Sequence, residues 1–287
     1  MSEKHIDEVS GVETTGHEWD GIRELNNPLP RWWLWTFYFT IIWAIGYTIV
    51  YPAWPGLTTN TKGLFNWSSR GAVATEMAAA DAAKASLVEK IANTDLPGIL
   101  ADNEMRTFAT AAGASTFKVY CSQCHGSGAQ GGPGYPNLND DDWLWGGDID
   151  AIHTTIAHGI RYEQDDDTRV SEMPAFGEIL EPEQIKQVAA YVASLSGTPS
   201  DEAAAKAGAT VFAENCAACH GEDGRGMKEV GAPNLADSLW LYGSSEDAIA
   251  AQIRNPKHGV MPAWNARLGD TKVKELAVYV HSLGGGS

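Results

Sequence analysis

The chain has four cysteines in 287 residues, and all stand in two short blocks, Cys121-Ser-Gln-Cys124-His125 and Cys216-Ala-Ala-Cys219-His220. Each block reads C-x-x-C-H. Two thiols at this spacing can reach the two vinyl groups of one porphyrin and form thioether bonds, while the adjacent imidazole reaches the iron. The pattern marks attachment of a c-type haem. A lone C-x-x-C would be ambiguous, because redox dithiols and zinc sites share it. One zinc site held by all four thiolates, built from both pairs, is the competing reading. The 91 residues between Cys124 and Cys216, and the His in each block, argue against it. The sequence thus predicts two covalent haems c, on Cys121 with Cys124 and on Cys216 with Cys219, with His125 and His220 as axial iron ligands.

Each iron needs a sixth ligand. Of six Met, Met1 is the start, and Met77 and Met105 precede both motifs. Met173 and Met261 lie 48 and 41 residues after their His, and each is followed by Pro, which helps to fix the loop that presents the sulfur. They are the predicted axial ligands; whether each serves the haem of its own copy or of the other is open. Met227 reads as loop packing or exposed. His153, His158 and His258 are the rivals, and bis-His ligation would lower a haem's potential. His/Met ligation fills both axial sites and raises it, leaving no open position for O2 or peroxide. The chemistry is then electron transfer rather than catalysis at these irons. Trp143, Trp240, Tyr242, Arg161 and Arg254 are candidates to bond haem propionates, because buried carboxylates need partners. Asn137 and Asn234 read as loop braces. The runs Asp140–Asp142 and Asp165–Asp167 read as solvated loops, with a calcium site as the alternative.

The segments that must position these residues form an internal repeat. Gly113 and Gly208 lie eight residues before the first Cys of each motif, and Phe117 and Phe212 lie four before it. Pro136-Asn137-Leu138 matches Pro233-Asn234-Leu235, and Trp143-Leu144 matches Trp240-Leu241. Met173-Pro-Ala-Phe176 matches Met261-Pro-Ala-Trp264, and Tyr-Val follows each Met by 18 residues. The copies run over residues 104–197 and 201–287, joined at Thr198-Pro199-Ser200. Each resembles a class I cytochrome c domain, which implies a first helix leading into C-x-x-C-H, loops around the haem, and a closing helix packed on the first. Pro182 suits the first turn of one closing helix and Asp270 the N-cap of the other. With fewer than 100 residues per copy, the porphyrin must supply much of the core.

Residues 32–51 read WWLWTFYFTIIWAIGYTIVY, with no charge. At about 1.5 Å per residue this segment spans a hydrocarbon core, with aromatic residues at both ends. A cleaved signal peptide fits badly, since an acidic tail of some 30 residues precedes the segment and no A-x-A site closely follows. The expected organisation is a tail over 1–31, an anchor over 32–53 and a linker over 54–103 with an Ala-rich helical spacer. The fold class is all-α: a single N-terminal transmembrane helix followed by two tandem class I cytochrome c domains. The formal charge of −17 excludes nucleic acid as a partner, because phosphate binding needs a basic face. Residues 54–287 carry 17 Lys/Arg against 30 Asp/Glu, which suits steering of a basic protein donor.

Asp20–Trp35 (DGIRELNNPLPRWWLW) and Ile41–Tyr47 (IIWAIGY) give a closer resemblance, to the dihaem c-type subunit of cbb3-type cytochrome c oxidase. The acidic tail, single anchor, spacer and paired haem motifs extend it over nearly the whole chain. It implies a non-catalytic electron-transfer subunit in a bacterial inner membrane, N-terminus cytoplasmic and haem domains periplasmic. It further implies a periplasmic cytochrome c donor, a monohaem c-type partner subunit, and a catalytic haem–copper subunit that reduces O2 and pumps protons. The rival readings are a tethered dihaem carrier for another respiratory enzyme and a dihaem peroxidase; the paired Met-Pro blocks count against the second.

Overall fold

The computed structural model describes residues 5–197 and 199–284; Thr198 of the expected hinge lies outside them. The chain divides into two compact units, Met1–Ala83 and Lys84–Ser287.

In the first unit, β1 (Thr14–Trp19) pairs antiparallel with β2 (Ile22–Leu25). Asp20 and Gly21 turn between them with φ of 48° and 84°, the pair of left-handed residues that an Asp-Gly hairpin favours. The acidic tail thus holds a hairpin that the sequence reading did not foresee. Helix α1 (Arg31–Val50) follows Pro30 and stops before Pro52, and is long and apolar enough to cross a membrane. None of its side chains is buried within the chain. Its last carbonyls do not go unmet: Leu64 and Phe65 return to donate N–H groups to Ile49 and Val50 at 3.1 and 3.0 Å. Tyr51 stacks on Tyr47 and meets Phe65 and Trp67 edge-on, an aromatic cluster at that end of the span.

The spacer forms α2 (Ser69–Ala92), and the second unit begins inside it. Then come α3 (Leu96–Ala101), α4 (Asn103–Tyr120) and the single turn α5 (Ser122–His125), followed by α6 (Ile149–His158), α7 (Pro182–Ser196) and α8 (Glu202–Asn215). A second single turn, α9 (Ala217–His220), precedes α10 (Glu246–Arg254), α11 (Asn265–Leu268) and α12 (Asp270–His281). Local chemistry sets the starts. Asp95, Asp102, Asp201 and Ser245 each accept N–H bonds at the helix that follows. Pro182 stands at the first position of α7, inside a Glu181–Gln184 capping box. Asp270 is not the expected cap. Gly269 occupies that place, and the Asp270 carboxylate instead binds Lys274 Nζ at 3.3 Å and His153 Nε2 at 3.2 Å. Its charge in the first turn still suits the helix dipole.

The closing helices do not pack as the repeat predicts. Helix α7 packs on α8, the first helix of the following copy, and α12 packs on α4. Two separate cores result. One joins Phe117, Ile152 and Ile156 of the first copy to Val273, Leu276 and Val280 of α12. The other joins Ile185, Val188 and Val192 of α7 to Val211, Phe212, Ile249 and Ile253 of the second copy. The glycines of the repeat mark both crossings. A Cβ on Gly113 would sit 2.7 Å from Tyr279 Cβ, and one on Gly208 would sit 2.9 Å from the Val188 nitrogen. Contact chemistry cannot choose between the pairings, since Gly faces the same kind of closing helix in either. Connectivity chooses. Only five residues, 197–201, separate α7 from α8, so packing α7 on α8 closes the shorter loop. Helix α12 is left to complete α4. One packing unit is therefore continuous, about residues 171–259, and is inserted within another made from about 84–160 and 261–284.

The spacer is not idle at its C-terminal end. Ile91 of α2 and Leu96 and Ile99 of α3 are buried in the first core. Lys274 Nζ donates to the carbonyls of Ala92 and Thr94, both at 3.1 Å, and ties this segment to α12.

Candidate functional site

Each C-x-x-C-H begins at the end of a long helix and turns once. Cys121 and Cys216 are the C-caps of α4 and α8, donating N–H bonds to Phe117 and Phe212. The following turn, α5 or α9, places His125 or His220 beside an apolar cavity. Burial pushes the Cys121 and Cys216 thiols up to about 11, and the neighbouring Cys124 and Cys219 add to it. Cys124 and Cys219 are exposed, and the four cysteines form no disulfide.

The imidazoles are held alike. His125 Nδ1 lies 3.1 Å from the Pro136 carbonyl, and His220 Nδ1 lies 3.1 Å from the Pro233 carbonyl. A carbonyl only accepts, so Nδ1 carries the proton and Nε2 keeps its lone pair for a metal. Burial lowers the pKa of both rings, with the carbonyl bonds opposing, which favours the neutral ligand form. The sequence reading singled out the Pro-Asn-Leu blocks but missed this role. It also missed Gly131 and Gly226, each six residues after its His. They donate to the His125 and His220 carbonyls at 2.8 and 2.7 Å, with φ of 69° and 77°. A Cβ there would meet the Asn137 nitrogen at 2.6 Å or the Pro233 carbonyl carbon at 2.7 Å, so only glycine lets the loop lie against the imidazole. The shared spacing was the available signal.

The two methionines are exchanged between the copies. Met261 lines the cavity of Cys121 and His125; Met173 lines that of Cys216, Cys219 and His220. Met261 is pinned by a two-way backbone bridge to Ile160, at 2.9 and 3.0 Å, and Trp264 N–H bonds the Ile156 carbonyl at 3.1 Å. Arg161 sits at the crossover. Its Nε donates to the Gly259 carbonyl at 2.7 Å and its Nη1 to the Ser171 carbonyl at 2.8 Å, tying together the strands that lead to the two methionines.

The remaining candidates sort themselves. Met227 lines neither cavity. His153 and His158 are engaged by Asp270 and Asp165, while His258 is exposed at the edge of the second cavity. Asn137 and Asn234 accept N–H bonds from Asn139 and Ala236, as loop braces do. Trp240, Tyr242 and Arg161 line the second cavity; Arg254 is exposed and lines neither. Trp143 lines the first cavity, and its indole Nε1 is buried with no hydrogen-bond partner among the described residues. An orphaned donor beside an apolar cavity fits an acidic group on a bound ligand. The ligand atoms of His158, Asp165 and Asp167 lie close together, with His158 Nδ1 bonded to the Asp165 carboxylate and the Asp167 N–H to Asp165 Oδ1, a partly exposed acidic cluster of the kind that solvated loops carry.

An apolar cavity beside a C-x-x-C-H motif, an imidazole with a free Nε2 and a Met in the cavity wall, repeated at both sites and joined at the first by the Trp143 donor, make a donor set that fits a c-type haem. Comparison with known proteins agrees. The profile of the N-terminal domain of cytochrome oxidase-cbb3, FixP, matches residues 11–58. That of cytochrome c oxidase, cbb3-type, subunit III, matches residues 108–192 and again 203–280. The chain is 63% identical, over the whole of both proteins, to the cbb3-type cytochrome c oxidase subunit FixPc of Rhizobium leguminosarum bv. viciae. It is 62% identical to the subunit FixP of Rhizobium meliloti over 99% of this chain and 98% of that one. To the subunit CcoP of Cereibacter sphaeroides it is 55% identical over 95% of each. The chain belongs to the subunit III family of cbb3-type cytochrome c oxidases and is a haem c-bearing electron-transfer subunit of that membrane complex.

Proposed function

We propose that the chain holds two covalent haems c and relays electrons from a periplasmic cytochrome c to a monohaem c-type subunit, and on to the catalytic haem–copper subunit. Cys121 and Cys124 anchor the first haem, with His125 and Met261 on its iron. Cys216 and Cys219 anchor the second, with His220 and Met173. The observation that carries this is the reciprocal placement of one C-x-x-C-H and one Met-Pro at each cavity. When bound, each haem supplies a one-electron centre. The residues fix its character: the Pro136 and Pro233 carbonyls orient the imidazoles, and the Met thioethers complete six-coordination and favour the reduced state. Trp143 Nε1 stands ready to bond a propionate. Helix α1 anchors the chain, with the tail cytoplasmic and the haem units periplasmic, because c-type haems are attached outside the bacterial cytoplasm.

The test is purification of the full chain from membranes in mild detergent. Two haems per chain should be found, together with the haem–copper and monohaem subunits, and the preparation should consume O2 from reduced cytochrome c. If the acidic surface steers a basic donor, uptake should fall as salt shortens the screening length below about 8–10 Å. A chain that purifies with one haem, or apart from any haem–copper subunit, would contradict the reading.

A further inference from the structure

Among the described residues, Asp142 and Leu144 line both cavities. They lie in the loop after the first Pro-Asn-Leu block, which also meets the second copy: Gly134 N–H donates to the Leu241 carbonyl at 2.8 Å, and Gly231 packs directly on the Trp145 ring. Leu144 contributes apolar bulk to the shared wall. Asp142 contributes its one ionisable group.

Resting on the two-haem reading above, we propose that Asp142 is a proton-binding site coupled to the redox state of both haems. An electron from a reduced donor cytochrome takes one iron from ferric to ferrous, and Asp142 takes one proton from solvent, passing from carboxylate to carboxylic acid. Reoxidation by the next acceptor releases the proton. The added negative charge raises the proton affinity of a nearby carboxylate, and by linkage the bound proton favours reduction by the same factor. Couplings between such sites are on the order of tenfold.

The surroundings of Asp142 suit the role. Its carboxyl is half-buried, and burial pushes its pKa above the ordinary carboxylate range. Asp237, on the loop after the second Pro-Asn-Leu block, and Asp140, on its own loop, push the same way, while Lys228 opposes them. Its own N–H bonds Asp140 Oδ1 at 3.3 Å. Arg161, Glu172 and Lys257 are the other charged residues around the second cavity, and His258 and Tyr242 are its further titratable groups beside the haem motif itself.

The test is equilibrium redox titration of the full chain in detergent across a range of pH, for the native protein, Asp142→Asn and Asp142→Glu, with the haem-to-chain ratio measured in each. In the native protein both potentials should fall as pH rises through the titration of Asp142, because the carboxylate favours ferric iron. Asp142→Asn, neutral at every pH, should hold both potentials near their low-pH values and flatten both profiles in that window. Asp142→Glu should restore the fall. Two haems with unaltered profiles in Asp142→Asn, flattening of one haem alone, or a native protein without pH dependence would overturn the proposal alone. A ratio of one haem per chain would overturn the two-haem reading and the proposal with it.

Discussion

A chain that stops after Gly259 should lose the first haem environment and keep the second. Removing residues 260–287 takes away Met261 and the whole of α12. The first core then loses Val273, Leu276, Ala277, Val278 and Val280, all buried. Burying one large aliphatic side chain is worth about 1.5–3 kcal/mol, so the loss rivals the roughly 5–15 kcal/mol that holds a domain together. The second core draws its buried residues from Phe176 to Ile253 and is untouched. The fragment 171–259, exported with a cleavable signal, should accordingly fold alone and hold one haem. Absorbance would check both, through the sulfur–iron charge-transfer band that reports Met ligation. The band should survive for the haem on Cys216 and Cys219 and vanish for that on Cys121 and Cys124. A tandem arrangement of two self-contained copies demands the reverse, since the deletion would then strike the second haem.

The N-terminal limit of the haem-bearing part gives the second large effect. A chain exported from Lys84 should fold with two haems, whereas one exported from Asn103 should be impaired at the first. The difference is Ile91, Leu96 and Ile99, whose relative exposures are 0, 6 and 0%. Their burial contributes roughly 5–9 kcal/mol, an upper figure because an unfolded chain already hides part of that surface. Two carbonyl partners of Lys274 also disappear with Ala92 and Thr94. Chemical denaturation followed at each haem should show the first unfolding at lower denaturant in the shorter chain and the second unchanged. The Lys84 form should nevertheless deliver electrons poorly when dilute. Short tethers hold partners at effective concentrations of about mM, and the anchor is what provides the tether.

The chemistry was largely readable from residue types and spacing. C-x-x-C-H fixes what can be attached, and the twin Met-Pro blocks stand out because the other methionines lack a repeat counterpart. The pairing of the closing helices was not readable. Gly113 and Gly208, like Tyr191-Val192 and Tyr279-Val280, offer the same surface in either arrangement, so local pattern carries no information about which helix meets which. The five-residue link after α7 decides it, through loop closure rather than side-chain complementarity. The buried end of the spacer was obscured for another reason. Its Ala-rich run signals helix strongly, but the residues that matter, Ile91, Leu96 and Ile99, lie at and beyond its end. The tail hairpin was signalled only by the Asp20-Gly21 pair, since the flanking Thr14–Trp19 and Ile22–Leu25 lack an apolar-polar alternation.

The exchange of methionines between copies is the central claim, and one redox titration tests it most directly. In a chain with Cys121→Ala and Cys124→Ala, only the haem on Cys216 and Cys219 remains. Adding Met173→His should lower its midpoint potential and abolish the sulfur–iron band, because imidazole replaces thioether on the iron. Adding Met261→His instead should leave both unchanged. A potential that responds to Met261→His and ignores Met173→His would place each methionine on the haem of its own copy and contradict the nested arrangement.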